Sequence, residues 1–283
     1  MKDIKFSVNS WVFGKIPFAE LARRAKEIGL DGLEVDGEPD KLSVQEMKAI
    51  LKANGLLPIS VCGTFSTPDR AFNHSDSTMR NSAIAYGKKL VDMAYELETD
   101  RLLIVPSQVD KLTPYLSKEQ DWENSVEAIR TVSEYAKEKG NIKIMLECVN
   151  KYEVSMVFTL EDGIRMAKQI GTGNIGLVGD TFHMQLEEAS GIPSAIRSAE
   201  DQWLMHLHLG DNNREVPGKG CRNWREIFQA LQDIDFSGAA SFEPLPRRLT
   251  PGEIGAGLLN PDELQEEMTV SIQMLKGIMT GIQ

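Results

Sequence analysis

Short apolar runs alternate with longer amphipathic stretches along the chain, eight of each. The runs lie at residues 4–9, 33–35, 57–61, 101–105, 142–147, 175–180, 204–208 and 239–243. Runs of this length bounded by turn residues read as buried strands. The stretches between them repeat apolar residues at helical spacing; in the first, Phe18, Leu21, Ala22, Ala25 and Ile28 share one side. The pattern predicts helices over 17–28, 43–54, 77–97 and 118–139, a fifth from 159, and others over 193–200, 224–231 and 261–278. Local residues punctuate them. Pro17 opens the first helix and Gly29 ends it, because a helix start has no use for the N–H that proline lacks. Ser43 and Glu46 have the spacing of a capping box, Thr159-Leu160-Glu161-Asp162 caps the fifth helix, and Gly140 ends the fourth.

Regular alternation of strand and helix predicts a parallel sheet. Eight units in 283 residues predict a single-domain (β/α)8 TIM barrel over residues 1–283, since such barrels take about 250 residues. No GxGxxG follows the first strand and no GxxxxGK[ST] occurs, which disfavours an open nucleotide-binding sheet. Hydrophobic residues at 41% and charged residues at 26% are an ordinary soluble balance. The net charge of −11 argues against nucleic acid or an anionic membrane as partner, because nothing offsets repulsion from phosphates. Cys62, Cys148 and Cys221 are far apart and form no CxxC pair, so a reducing, cytoplasmic setting is expected. The N-terminal stretch is too polar for a signal peptide, and no run approaches the ~18 apolar residues that span a bilayer.

The last four strands all end on residues able to bind a hard metal ion: Glu147, Asp180, His208 and Glu243. A parallel barrel delivers its strand ends to one face, where such folds keep their chemistry. Singly, each is more often a salt-bridge partner; four in succession tilt the reading to a metal. Three carboxylates and one imidazole suit Mn²⁺, Mg²⁺ or Co²⁺ better than a structural zinc. His183 lies three residues past Asp180 and is a candidate for substrate binding, whereas His206 reads as a barrel-interior residue. The polar loop 210–220 carries Arg214, which can hold a carbonyl or hydroxyl oxygen, and Asn150 and Glu153 fall in the loop after the fifth strand. Cys62 reads as a packed thiol. Phe65, Phe72 and Trp203 at loop ends are candidates for either an interface or the core. A divalent ion can chelate two adjacent sugar oxygens and stabilise the enediolate left by proton loss. Glu147 and Glu243 would then serve as bases on opposite faces, giving an epimerase; exchange on one face would give an aldose–ketose isomerase.

The segments Leu146-Glu147-Cys148-Val149-Asn150-Lys151-Tyr152-Glu153, Gly179-Asp180-Thr181-Phe182-His183-Met184, His206-Leu207-His208-Leu209-Gly210-Asp211-Asn212-Asn213-Arg214 with Pro217-Gly218-Lys219-Gly220, and Phe242-Glu243-Pro244 resemble the ketose 3-epimerase branch (D-tagatose/D-psicose 3-epimerases) of the xylose-isomerase-like barrels. The resemblance implies that Glu147, Asp180, His208 and Glu243 bind the metal, commonly Mn²⁺, and that Glu147 and Glu243 double as the acid/base pair at C3. It implies that His183 and Arg214 hold the O2 oxygen and Glu153 the O1 end. It also implies a small unphosphorylated ketose as substrate and a homo-oligomer, dimer or tetramer. Three departures stand out. Residues 104–109 lack the aromatic expected over the sugar, Asp211 stands where Glu is usual, and Pro246-Arg247-Arg248 is unusually basic. Those arginines are candidates for a substrate phosphate or carboxylate, or form a solvated pair. The same cradle would serve a hydroxypyruvate-type isomerase or an inosose-type dehydratase. An abasic-site endonuclease would need more ligands than four histidines and this charge provide. The pair Glu147/Glu243 speaks against a sugar-binding barrel without activity.

Overall fold

In the computed structural model, which describes residues 4–39, 41, 43–246 and 249–282, eight strands close into a parallel barrel in sequence order. They are β1 (Lys5–Asn9), β2 (Gly32–Gly37), β3 (Leu57–Gly63), β4 (Arg101–Ile104), β5 (Lys143–Cys148), β6 (Ile175–Asp180), β7 (Leu204–Leu209) and β8 (Ala239–Phe242). Lys5 pairs with Ala239 and Val8 with Phe242, so β8 returns to β1 and no sheet edge is left open. The helices are α1 (Phe18–Ile28), α2 (Val44–Asn54), α3 (Ser77–Leu97), α4 (Lys118–Gly140), α5 (Leu160–Ile170), α6 (Thr181–Glu187), α7 (Ile192–Trp203), α8 (Trp224–Asp233), α9 (Pro251–Gly255) and α10 (Pro261–Thr280).

The expected eight helices are present, and two short α-helices join them among the described residues. α6 and α9 have seven and five residues, too few to show a period of 3.6 in the sequence. α6 starts where β6 ends, because the Asp180 side chain accepts from Phe182 N at 2.6 Å and so caps it. The capping box at Thr159 and Asp162 forms. The one expected at Ser43 does not: its hydroxyl turns to Gln45 Oε1 at 3.2 Å and makes no cap bond. α4 runs through Gly140, and Asn141 takes the left-handed terminating position, with φ 54°.

Strand alternation separates two environments. On β7, His206 and His208 face the lumen, while Leu207 and Leu209 pack under the helices. Register shifts leave one extra residue on β3 (Ile59) opposite the Leu33–Glu34 step of β2, and one on β7 (Met205) opposite the Leu177–Val178 step of β6. Such bulges re-aim the side chains that follow, and both stand just below the polar centre of the barrel. At Gly32 the chains come so close that a Cβ would sit 2.2 Å from Leu57 O. Phe65 and Phe72 are fully buried with ring centroids 5.4 Å apart, and Trp203 is partly buried against the core. All three therefore belong to packing. Among the described residues, no helix is long and apolar enough to cross a membrane.

Thr159→Ala removes the reciprocal cap of α5 and lowers stability by about 1 kcal/mol; urea unfolding will show a lower midpoint at unchanged slope.

Candidate metal and sugar site

Glu147, Asp180, His208 and Glu243 converge at the C-terminal mouth. One ligand atom from each lies within 4.8 Å of all the others, and all four residues are buried. His208 Nδ1 is 3.0 Å from Glu147 Oε1 and 3.1 Å from Glu243 Oε2. Burial opposes charge on His208, yet Glu243, Glu34 and Glu147 together raise its pKa well above the ordinary value. Burial lifts Glu147 to about 7 against the pull of His208. Burial and the neighbouring Glu243 lift Asp180 to about 6. Burial also works against an ionised Glu243, but His208 and then Arg214 outweigh it and hold its pKa low. Three carboxylates crowded on one imidazole, with the Nδ1 side of that ring facing them, are a donor set that fits a hard divalent cation.

Beside the cradle stands a second cluster. Asn150 Nδ2 lies 2.6 Å from His183 Nδ1 and donates to Glu153 Oε1 at 2.9 Å. His183 Nε2 is 3.5 Å from Asp180 Oδ2. Burial, and then Arg214, depress His183 to about 3, so its ring is neutral. Arg214 Nη1 donates to Glu153 Oε1 at 2.9 Å, and its guanidinium lies 4.8 Å from the Phe182 ring centroid. Its Nε is buried without a partner. The three residues expected to touch substrate are thus contiguous with the cradle. Arg247 and Arg248 lie outside the described residues.

The model of the xylose isomerase-like TIM barrel matches residues 22–272. The chain belongs to the xylose isomerase-like TIM barrel family. It is 32% identical over 242 residues to a D-psicose 3-epimerase of Ruminiclostridium cellulolyticum, covering 83% of this chain and 80% of that protein. It is 30% identical over 248 residues to the D-psicose 3-epimerase of Agrobacterium fabrum, covering 85% and 83%. A crystal structure of D-psicose 3-epimerase with D-tagatose from Clostridium cellulolyticum H10 superposes with a TM-score of 0.87 at 27% identity, over 98% of this chain and 99% of that one. Within the family, these relatives place the chain on the ketose 3-epimerase branch.

This family member carries a layer beneath its cradle that reading the sequence did not single out. Glu34, fully buried on β2, accepts from Asn9 Nδ2 at 3.0 Å and from Ser60 Oγ at 2.5 Å. Its oxygens lie 2.7 Å from His208 Nε2 and 3.1 Å from His206 Nε2. Burial opposes its ionisation, but His208 and His206 outweigh that and hold its pKa well below the carboxylate range. Glu34 therefore fixes the His208 ring and turns Nδ1 to the cradle, as carboxylates behind metal-binding histidines do. Glu243 is held likewise, accepting from Asn9 Nδ2 at 3.1 Å and Trp11 Nε1 at 3.0 Å. A signal for Glu34 existed: a carboxylate inside an apolar strand must find partners. His206 is the interior residue expected, with Nε2 2.9 Å from Ser241 Oγ. Burial, with Glu34 and Glu243 nearby, pushes the Cys62 thiol well up, which rules it out as a thiolate nucleophile.

Asp211 also finds its reason. Its carboxylate accepts from Gly218 N at 2.8 Å, Asn212 N at 2.8 Å, Arg222 N at 3.2 Å and Trp224 Nε1 at 3.1 Å. A Cβ on Gly220 would already lie 2.3 Å from Asp211 Oδ1, so the loop is wound tightly around the shorter acid.

Glu34→Gln keeps the shape but removes the charge behind His208. Affinity for Mn²⁺ by titration calorimetry should fall roughly 10- to 100-fold; an unchanged affinity would sink this role. A pH experiment tests the cradle itself. Glu147 and Asp180 have folded pKa values of about 7 and about 6, above their ordinary values of 4.5 and 3.8. The folded state then holds protons that the unfolded chain releases, so their contribution to stability is full at low pH and is lost as pH rises to 7. The depressed His183 acts with the opposite sign up to its ordinary value of 6.5, so the readout is the increase in melting temperature on adding Mn²⁺, which should grow between pH 5 and 7 as Glu147 and Asp180 lose their protons.

Proposed function

We propose that the chain is a metal-dependent ketose 3-epimerase that inverts C3 by proton exchange between two carboxylates. The observation that carries this reading is the pair Glu147 and Glu243, both within about 3 Å of one imidazole nitrogen yet set in unequal surroundings. Glu243 receives two N–H donors besides His208, which favours its ionised form. Glu147, buried against the same ring, retains a proton to higher pH in the metal-free protein. Two carboxyls from β5 and the end of β8 that meet at one point supply the two proton-exchange groups an epimerase needs. In one direction Glu243 takes the C3 proton and Glu147 returns one to the opposite face; in the reverse direction the roles exchange.

Glu147, Asp180, His208 and Glu243 would hold the divalent ion, Mn²⁺ in our reading with Mg²⁺ or Co²⁺ as substitutes. Such an ion supplies Lewis-acid polarisation of the carbonyl and neutralises the charge that proton loss creates. His183 carries its proton on Nε2, since Asn150 donates to Nδ1, and can therefore donate to O2. The unpartnered Nε of Arg214 gives a second donor to the same oxygen, and Glu153 accepts from the O1 hydroxyl. The substrate is a small sugar.

We also propose a homo-oligomer, dimer or tetramer. Leu112 and Leu116 after β4, Tyr152 after β5 and Leu186 on α6 are exposed on successive elements at the mouth, an apolar face that a second copy can cover. Light scattering after size exclusion reports the mass directly.

The reading is tested by NMR in D₂O with Mn²⁺ and a panel of ketoses. Deuterium at C3 together with a C3-inverted sugar is expected; deuterium at C1 with an aldose product would move the protein to isomerase chemistry. Glu243→Gln should lower kcat by about 10²–10⁴-fold, and turnover at the wild-type rate would refute the two-base mechanism.

A further inference from the structure

The reaction end of the site lies on the β5–β7 side, where Glu153, His183 and Arg214 cluster. A six-carbon ketose with C1–C3 held there must extend its remaining carbons across the mouth. In a closed eight-stranded barrel the wall opposite β6 is β2. Glu34 contacts His208 inside the lumen, so Asp36, two residues on, shares that lumen face and stands one step nearer the mouth. It pairs in register with Cys62, whose thiol lies within 4.8 Å of ligand atoms of Glu34 and Glu243. Asp36 thus occupies the wall facing the substrate's far end.

Its chemistry is not spent on the fold. The Asp36 carboxylate is half-buried and accepts a hydrogen bond from Thr64 Oγ1 at 3.3 Å. The two cations nearby are engaged elsewhere. Arg70 grips both oxygens of Glu38 at 2.8 and 3.1 Å, and Lys41 Nζ lies 3.8 Å from the same residue. At the end of β4, on the same side of the barrel, the buried Ser107 hydroxyl has no hydrogen-bond partner. Where the sequence lacks an aromatic shelf, the structure offers a carboxylate and hydroxyls instead.

We propose that Asp36, with Thr64, forms a subsite that reads hydroxyl groups at the far end of the ketose, and that this subsite restricts the enzyme to neutral ketoses. A carboxylate accepts from sugar hydroxyls in strong, charge-assisted bonds. It repels a phosphate or carboxylate in the same place. This deepens the epimerase reading and rests on it.

The test compares wild type with Asp36→Ala and Asp36→Asn on D-psicose, D-fructose, the four-carbon ketose erythrulose and D-fructose 6-phosphate, following C3 exchange in D₂O. For Asp36→Ala, kcat/KM on the six-carbon sugars should fall roughly 10- to 100-fold, with a much smaller loss on erythrulose. Asp36→Asn should recover part of the loss. Both variants should gain relative preference for the 6-phosphate, and their Mn²⁺ affinity by calorimetry should stay near that of wild type. An equal loss on long and short ketoses, no loss at all, or a wild type that prefers the 6-phosphate overturns the subsite while leaving the epimerase reading standing. A wild type that exchanges C3 of no ketose overturns the reading itself.

Discussion

Everything at the mouth of this barrel depends on one imidazole held between carboxylates. His208 is fully buried, with Glu34 at 2.7 Å on one nitrogen and Glu147 and Glu243 at 3.0 and 3.1 Å on the other. Isolated, each buried charge would cost several kcal/mol. Together they are tolerable only because opposite charges and N–H donors lie within hydrogen-bond reach. Asn9 bridges Glu34 and Glu243, Trp11 braces Glu243, and Ser60 braces Glu34. The three carboxylates on the cradle side still exceed what one imidazole can balance. Burial, and after it that imbalance, lifts Glu147 and Asp180, and the surplus of negative charge makes the site receptive to a divalent cation.

The loops above are tied to one another as well as to the strands. Asp110 N donates to Glu153 O at 2.8 Å, Arg214 binds the Glu153 carboxylate, and Leu245 N donates to Arg214 O at 2.6 Å. Asp211 winds the 210–222 loop around its own carboxylate. Arg214 itself sits at φ 61°, a left-handed conformation rare outside glycine and asparagine, and these bonds hold it there. Donors fixed in this way need little reorganisation when charge develops on a substrate, which is the physical basis of electrostatic preorganisation.

The barrel wall divides the chemistry. Strands β5 to β8 carry the cradle and the oxygen-binding side chains that the ketose 3-epimerase branch is expected to share. Strands β1 to β4 and the turns that follow them carry Trp11, Asp36, Cys62 and Thr64. Under the proposals above, reaction type is set mainly on the first of these sides and substrate choice on the second.

The sequence by itself determined the barrel and the line of metal-binding candidates, because both are written in local periodicity. Eight apolar runs, the last four closed by Glu147, Asp180, His208 and Glu243, can be seen without knowing what pairs with what. Local pattern missed helices too short to show a period, such as α6, a cap whose side chain chose another partner, at Ser43, and a helix end that passed through Gly140 to Asn141. What only the tertiary structure decided was which residues meet across the lumen. Glu34 is 174 residues from His208, and Asn9 is 234 from Glu243. Barrel closure brings them within 3.1 Å, and no spacing rule along the chain encodes that. Asp36 is the same case: in sequence it is an ordinary strand-end acid, and its position opposite β6 exists only once the eighth strand has paired with the first.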